Sequence, residues 1–144
     1  MRSVFLFLIC LVFIVNSTPA IAQKKLEKYP KNVIYFGHGG GFTGLETTYA
    51  LLESGELYKK KGMEDQFVFV SRIKSNDVKQ IFSNYEFLGL PAMEINEPGN
   101  LYSFIEFSNH KNKHKLTWNG SGEGNAPGNL KLFNSLLLHL VQNQ

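Results

Sequence analysis

Between the apolar run Val33-Ile34-Tyr35-Phe36 and a second strand-like run, Leu45 to Leu52, stand eight residues of which five are glycine: Gly37-His38-Gly39-Gly40-Gly41-Phe42-Thr43-Gly44. Glycine loses more conformational freedom on folding than any other residue. A chain accepts five of them where the backbone needs positive φ or must approach another group closely. The stretch therefore reads as a shaped loop joining two strands. It is also the leading candidate for a functional surface, carried by His38, Gly39, Gly40, Gly41, Phe42, Thr43 and Gly44.

The N-terminus reads as a leader. Arg2 supplies a positive start, Val4 to Val15 is apolar over 12 residues, and Ala20-Ile21-Ala22 has the small-x-small form of a cleavage site. A spanning helix needs about 20 apolar residues, so a signal peptide over 1–22 fits better than an anchor. The expected product is a single domain over 23–144, secreted or periplasmic, without membrane insertion after cleavage. Its only cysteine, Cys10, leaves with the leader, so packing must hold the domain without disulfides. A chain of 122 residues (144 − 22) buries on the order of 65% of its unfolded surface, which is enough for a core.

Arg2 is the one charged residue of the leader, which leaves 14 basic and 12 acidic side chains (15 − 1 and 12) and a net charge of +2. That balance gives no footprint for nucleic acid. The lysines at Lys24, Lys25, Lys28 and Lys31, and at Lys59-Lys60-Lys61, read as solvated flanks of strands.

Taken in order, Val33 to Phe36, the run to Leu52 and Leu57-Tyr58 form an antiparallel meander, with Glu53-Ser54-Gly55-Glu56 as a tight turn. Gln66 to Ile73 has a buried-strand pattern that length alone does not separate from a helix. Val78, Ile81, Phe82 and Tyr85 fall at i, i+3, i+4 and i+7, one face of a helix capped by Ser75 or Asn76 and ended by Gly89 and Pro91. Glu97-Pro98-Gly99-Asn100 is a turn into a strand over Leu101 to Phe107, and His114 to Trp118 is the return strand. Asn125 caps a last helix with Pro127 in its first turn, and Phe133, Leu136, Leu137, Leu140 and Val141 form its buried face. The whole is α+β: an antiparallel sheet of four or five strands with two helices packed on one face.

Most chemistry is excluded by what is missing. His38-Gly39-Gly40-Gly41 spells the oxyanion-hole motif of esterases, but Ser121 lacks the first glycine of a nucleophile elbow and the chain is short for that fold. A phosphate cradle would need a Gly-Lys-Ser/Thr ending and a following helix, and a strand follows. His38, His110, His114 and His139 have no zinc-motif spacing, with His110 and His114 only able to meet across a hairpin. Glu46, Glu86, Glu94, Glu97, Glu106 and Glu123 form no evident catalytic pair, although Glu106 stands in an otherwise apolar strand. Trp118 suits the core better than a binding surface, and Asn119-Gly120-Ser121 matches a glycosylation sequon. We expect no catalytic residues, no metal and no cofactor.

The strand followed by Gly40-Gly41-Phe42-Thr43-Gly44 and a second strand resembles the opening of emfourin-type proteins, small inhibitors of thermolysin-like metallopeptidases. The likeness continues through a middle helix ending near Leu90-Pro91-Ala92, a Pro98-Gly99-Asn100-Leu101-Tyr102 entry into a strand, a return strand holding His114 and a Pro-led terminal helix. It covers nearly the whole mature chain in order of elements, and in identity only the glycine motif. The leader and the aromatic run Phe67 to Val70 depart from it. The resemblance implies an α+β fold and a protein-binding, protease-inhibiting role with a secreted metallopeptidase as partner. A non-catalytic structural or envelope-associated domain is the alternative expectation, and a small hydrolase a remote one.

Overall fold

The computed structural model describes residue 26 and residues 29–109, 111–120 and 126–142. The leader and its cleavage site, Lys24, Lys25, Lys28, His110, the stretch 121–124 and Asn125 lie outside the described residues. The elements are β1 (Val33–Gly40), β2 (Thr47–Leu52), β3 (Glu56–Lys61), β4 (Val68–Arg72), α1 (Ser75–Phe87), a 3-10 turn (Leu90–Ala92), β5 (Asn96–Glu97), β6 (Leu101–Ser108), β7 (Lys113–Asn119) and α2 (Gly128–Gln142). They form one sheet of seven strands in the order β4-β3-β2-β1-β6-β7-β5.

The expected sheet of four or five antiparallel strands is therefore too small and too uniform. The Gln66–Ile73 run is a strand, β4, paired with β3. The seventh strand, β5, is two residues that pair parallel to β7. Asn96 and Glu97 carry no alternating pattern, so nothing in the sequence marks them. The meander β1-β2-β3 and the β6–β7 hairpin pair antiparallel as expected.

Alternation along the strands divides the core. Ile34, Phe36, Leu51, Leu57, Ile105, Leu116 and Trp118 join one cluster with Val78, Ile81 and Tyr85 of α1 and Leu130, Phe133 and Leu137 of α2. Both helices thus pack against the sheet. The alternate residues Val33, Ala50, Leu52 and Tyr58 join Leu26 and Phe67 in a second cluster across the sheet. The side chain of Trp118 is buried in the first cluster.

The helix ends differ from the caps expected. The N-cap of α1 is Lys74, which makes no side-chain cap, and Asp77 in the first turn complements the helix dipole instead. The carbonyl of Pro127 accepts the first helical bond of α2 from the Lys131 amide at 3.0 Å. Asn129 Nδ2 donates to the Leu88 carbonyl at 2.8 Å, so α2 satisfies an orphan acceptor at the end of α1. His114 sits between α1 and the segment before β5. Its Nε2 donates to the Met93 carbonyl at 2.8 Å, which leaves Nδ1 to accept from the Tyr85 hydroxyl at 2.6 Å.

Candidate functional site

The glycine stretch is not one loop. Gly37, His38, Gly39 and Gly40 are the last half of β1, paired on one side with β2 and on the other with β6. Gly37 stands directly opposite Phe104, and Gly39 directly opposite Tyr102. All four point away from the helices, since Ile34 and Phe36 of the same strand point toward them. A Cβ on Gly39 would lie 2.7 Å from the Tyr102 hydroxyl and 2.8 Å from Cζ. A Cβ on Gly37 would run into the Thr47 carbonyl. These two glycines admit neighbouring groups across the middle of the sheet. Cross-strand aromatic cover of a strand glycine is a known stabilising pairing.

The turn proper is Gly41 to Glu46. Gly40 and Gly41 have φ of 94° and 73°, values that a side chain with a Cβ rarely adopts. A Cβ on Gly40 would also strike the Asn100 carbonyl. The Gly41 amide donates to that same carbonyl at 2.7 Å, and the Gly44 amide to Gly41 at 3.1 Å. Phe42 and Thr43 stand at the tip, and Phe42 is fully exposed. His38 is exposed on the strand, opposite Thr47 and Ser103, and takes no part in the turn.

Glu46 fastens the base of the turn. Its Oε1 accepts from the Thr48 hydroxyl and its Oε2 from the Tyr102 hydroxyl, each at 2.8 Å. Its carbonyl accepts from the Gly62 amide at 2.7 Å. One residue thereby ties β2, β6 and the β3–β4 connection together. The bond to Glu46, with partial burial and the nearby carboxylate charge, raises the Tyr102 phenol above its ordinary pKa.

Other apolar side chains gather at this end of the sheet. Met63 follows β3 and is almost fully exposed, and Leu45 and Leu101 are about half exposed. Leu101 reaches the Cα side of Gly41 and Leu45 that of Gly62. The result is a protruding turn on an apolar base contributed by three connections. Sequence reasoning missed Glu46, Tyr102, Met63 and Leu101 as parts of it. One signal was present: Gly37-x-Gly39 and Tyr102-x-Phe104 share the same two-residue spacing.

The remaining candidates do not converge. Glu106 pairs with Lys113 at 3.7 Å, and Lys115 lies over the Phe104 ring at 4.6 Å. His139 is exposed on α2. Asn119 lies against the backbone of Gly99, where a Cβ would meet its Cγ at 2.6 Å. Among the described residues no three His, Cys, Asp or Glu side chains are placed to hold a metal ion. No helix among them is long and apolar enough to cross a membrane. The chain matches no protein-family model and no curated protein.

Proposed function

We propose that this protein is an exported, non-catalytic protein-binding module that presents the β1–β2 turn to a partner, and that the partner is a thermolysin-like metallopeptidase whose cleft receives Phe42. One observation carries the reading: Phe42 is fully exposed on a turn whose ends are fixed. An exposed aromatic ring on a floppy loop would lose much of its binding energy to ordering. Here the Gly41–Asn100 bond and the Glu46 contacts hold the turn before any partner arrives. Burial of one such ring in an apolar pocket contributes about 1.5–3 kcal/mol. Aromatic anchors of this kind dominate many interfaces. The likeness to emfourin-type inhibitors, centred on Gly40-Gly41-Phe42-Thr43-Gly44, supplies the class of partner.

Inhibition of thermolysin is the test. Phe42→Ala should weaken inhibition by roughly 10- to 100-fold. Thr43→Ala should weaken it less, and neither should move the urea midpoint, because both side chains stand clear of the core. No inhibition by the native protein, or equal inhibition by both variants, would end this reading. A structural, envelope-associated domain is the second reading, favoured by Gly37 and Gly39, for which packing alone accounts.

A further inference from the structure

The two edges of the sheet are built differently. The β5 edge is two polar residues, Asn96–Glu97, followed by Pro98. Short length, charge and proline are the usual means by which an edge is closed to further pairing. The β4 edge has none of these. Its five residues pair only with β3. Val68 and Phe69, 54% and 52% exposed, are consecutive, so an apolar side chain stands open on each face of the same edge.

We propose that two copies of this chain pair antiparallel through β4, about a two-fold axis between Val68 and Phe69. The sequence Asp65-Gln66-Phe67-Val68-Phe69-Val70-Ser71-Arg72 is complementary to itself when reversed. In that register Asp65 meets Arg72 of the second copy, Gln66 meets Ser71, Phe67 meets Val70, and Val68 meets Phe69. Every charge faces its opposite, polar faces polar and apolar faces apolar. A two-fold interface repeats each contact, so both ends gain a carboxylate–guanidinium pair. Parallel pairing would set Asp65 on Asp65 and Arg72 on Arg72.

The position of Arg72 suits this role. Its Nη2 is held 3.1 Å from Glu56 Oε1 within the same chain, and its side chain remains 64% exposed. The guanidinium is thus oriented by one carboxylate and open to a second. Register shifts opposite Leu57 and Tyr58, leaving Val70 as the extra residue of a bulge. That bulge interrupts a continuous outer ladder. The dimer is accordingly a weak one, with a Kd on the order of 10–100 μM.

Sedimentation velocity from about 1 μM to about 1 mM, spanning that Kd, should show the mass rising from monomer to dimer. Asp65→Arg alone opposes Arg with Arg at both ends, and Arg72→Asp alone opposes Asp with Asp. Each should stay monomeric, and their equimolar mixture should dimerise, because each then supplies what the other lacks. Val68→Glu should also stay monomeric with an unchanged urea midpoint, a control in case Arg72→Asp does not fold. Phe42→Ala should dimerise like the native chain. A monomer at every concentration would overturn the proposal. So would a mixture no more associated than its parts, charge variants that dimerise like the native chain, or a dimer lost with Phe42.

Discussion

Gly39→Ala tests whether the ring of Tyr102 is the reason for a glycine at the centre of the sheet. The new Cβ would stand 2.7 Å from the phenol oxygen and 2.8 Å from Cζ. Gly39 has no positive φ, so the backbone itself accepts alanine. The cost is then steric. Overpacking of this kind costs typically 1–3 kcal/mol. Displacing the ring also breaks the 2.8 Å bond to Glu46, a charge-assisted one in a partly exposed place, worth about 1 kcal/mol. We expect a loss of about 2–4 kcal/mol in urea denaturation followed by circular dichroism. Tyr102→Ala removes both obstructing atoms. In that background Gly39→Ala meets only the Glu46 Cα, at 3.2 Å. It also gains about 0.5–1 kcal/mol from the reduced freedom of the unfolded chain, so its net effect should fall near zero. The double-mutant cycle should show a coupling of about 2–3 kcal/mol. An equal cost for Gly39→Ala with and without the ring would refute the reasoning.

Leu137 is fully buried between α2 and the sheet, and Leu137→Ala should lower the unfolding free energy by about 2–5 kcal/mol. Burial, with a smaller contribution from the Glu86 charge, pushes the Tyr85 phenol up to about 12 from 10.0. The fold therefore favours the neutral phenol: its contribution is intact below pH 10 and is lost as pH rises through 12. Two pH units correspond to about 3 kcal/mol, so Tyr85→Phe should flatten the alkaline limb of the stability curve, while leaving His114 Nδ1 without its donor at all pH values. Mass spectrometry of the exported protein should give Gln23 as the first residue.

What could be read from the sequence followed from periodicity. Val78, Ile81 and Tyr85 repeat with the helical period, and all three are buried. Phe133 and Leu137 behave likewise in α2. Gly89 ends α1 with φ of 73°, as a glycine after a helix commonly does. The glycine stretch was half misread because local rules assign clustered glycines to loops. What holds Gly37 and Gly39 in a strand is β6, more than 60 residues further on, through Phe104 and Tyr102. Tertiary pairing of that reach leaves no mark within a short window. Helix caps failed for a similar reason. Ser75 is a good cap by type, but α1 includes it, and the chain leaving β4 places Lys74 at the boundary. Exposed side chains such as Met63 carry no periodic signal, so the apolar base of the turn emerges only once the connections are placed.

The position of β1 between β2 and β6 also sets an order in time. Val33 meets Leu52, 19 residues on (52 − 33), and also Ser108, 75 residues on (108 − 33). The first pairing closes a short loop and the second a long one, so the N-terminal meander can form well before its other flank arrives. Through that interval Gly37 and Gly39 lack their aromatic cover, and β1 is an open edge. The arrival of β6 closes it, brings Tyr102 to Glu46 and fixes the turn in one step. Substitutions in β6 that weaken this docking should therefore slow folding, whereas those in the β2–β3 hairpin should mainly change the rate of unfolding. The first strand to leave the ribosome is the last to be completed.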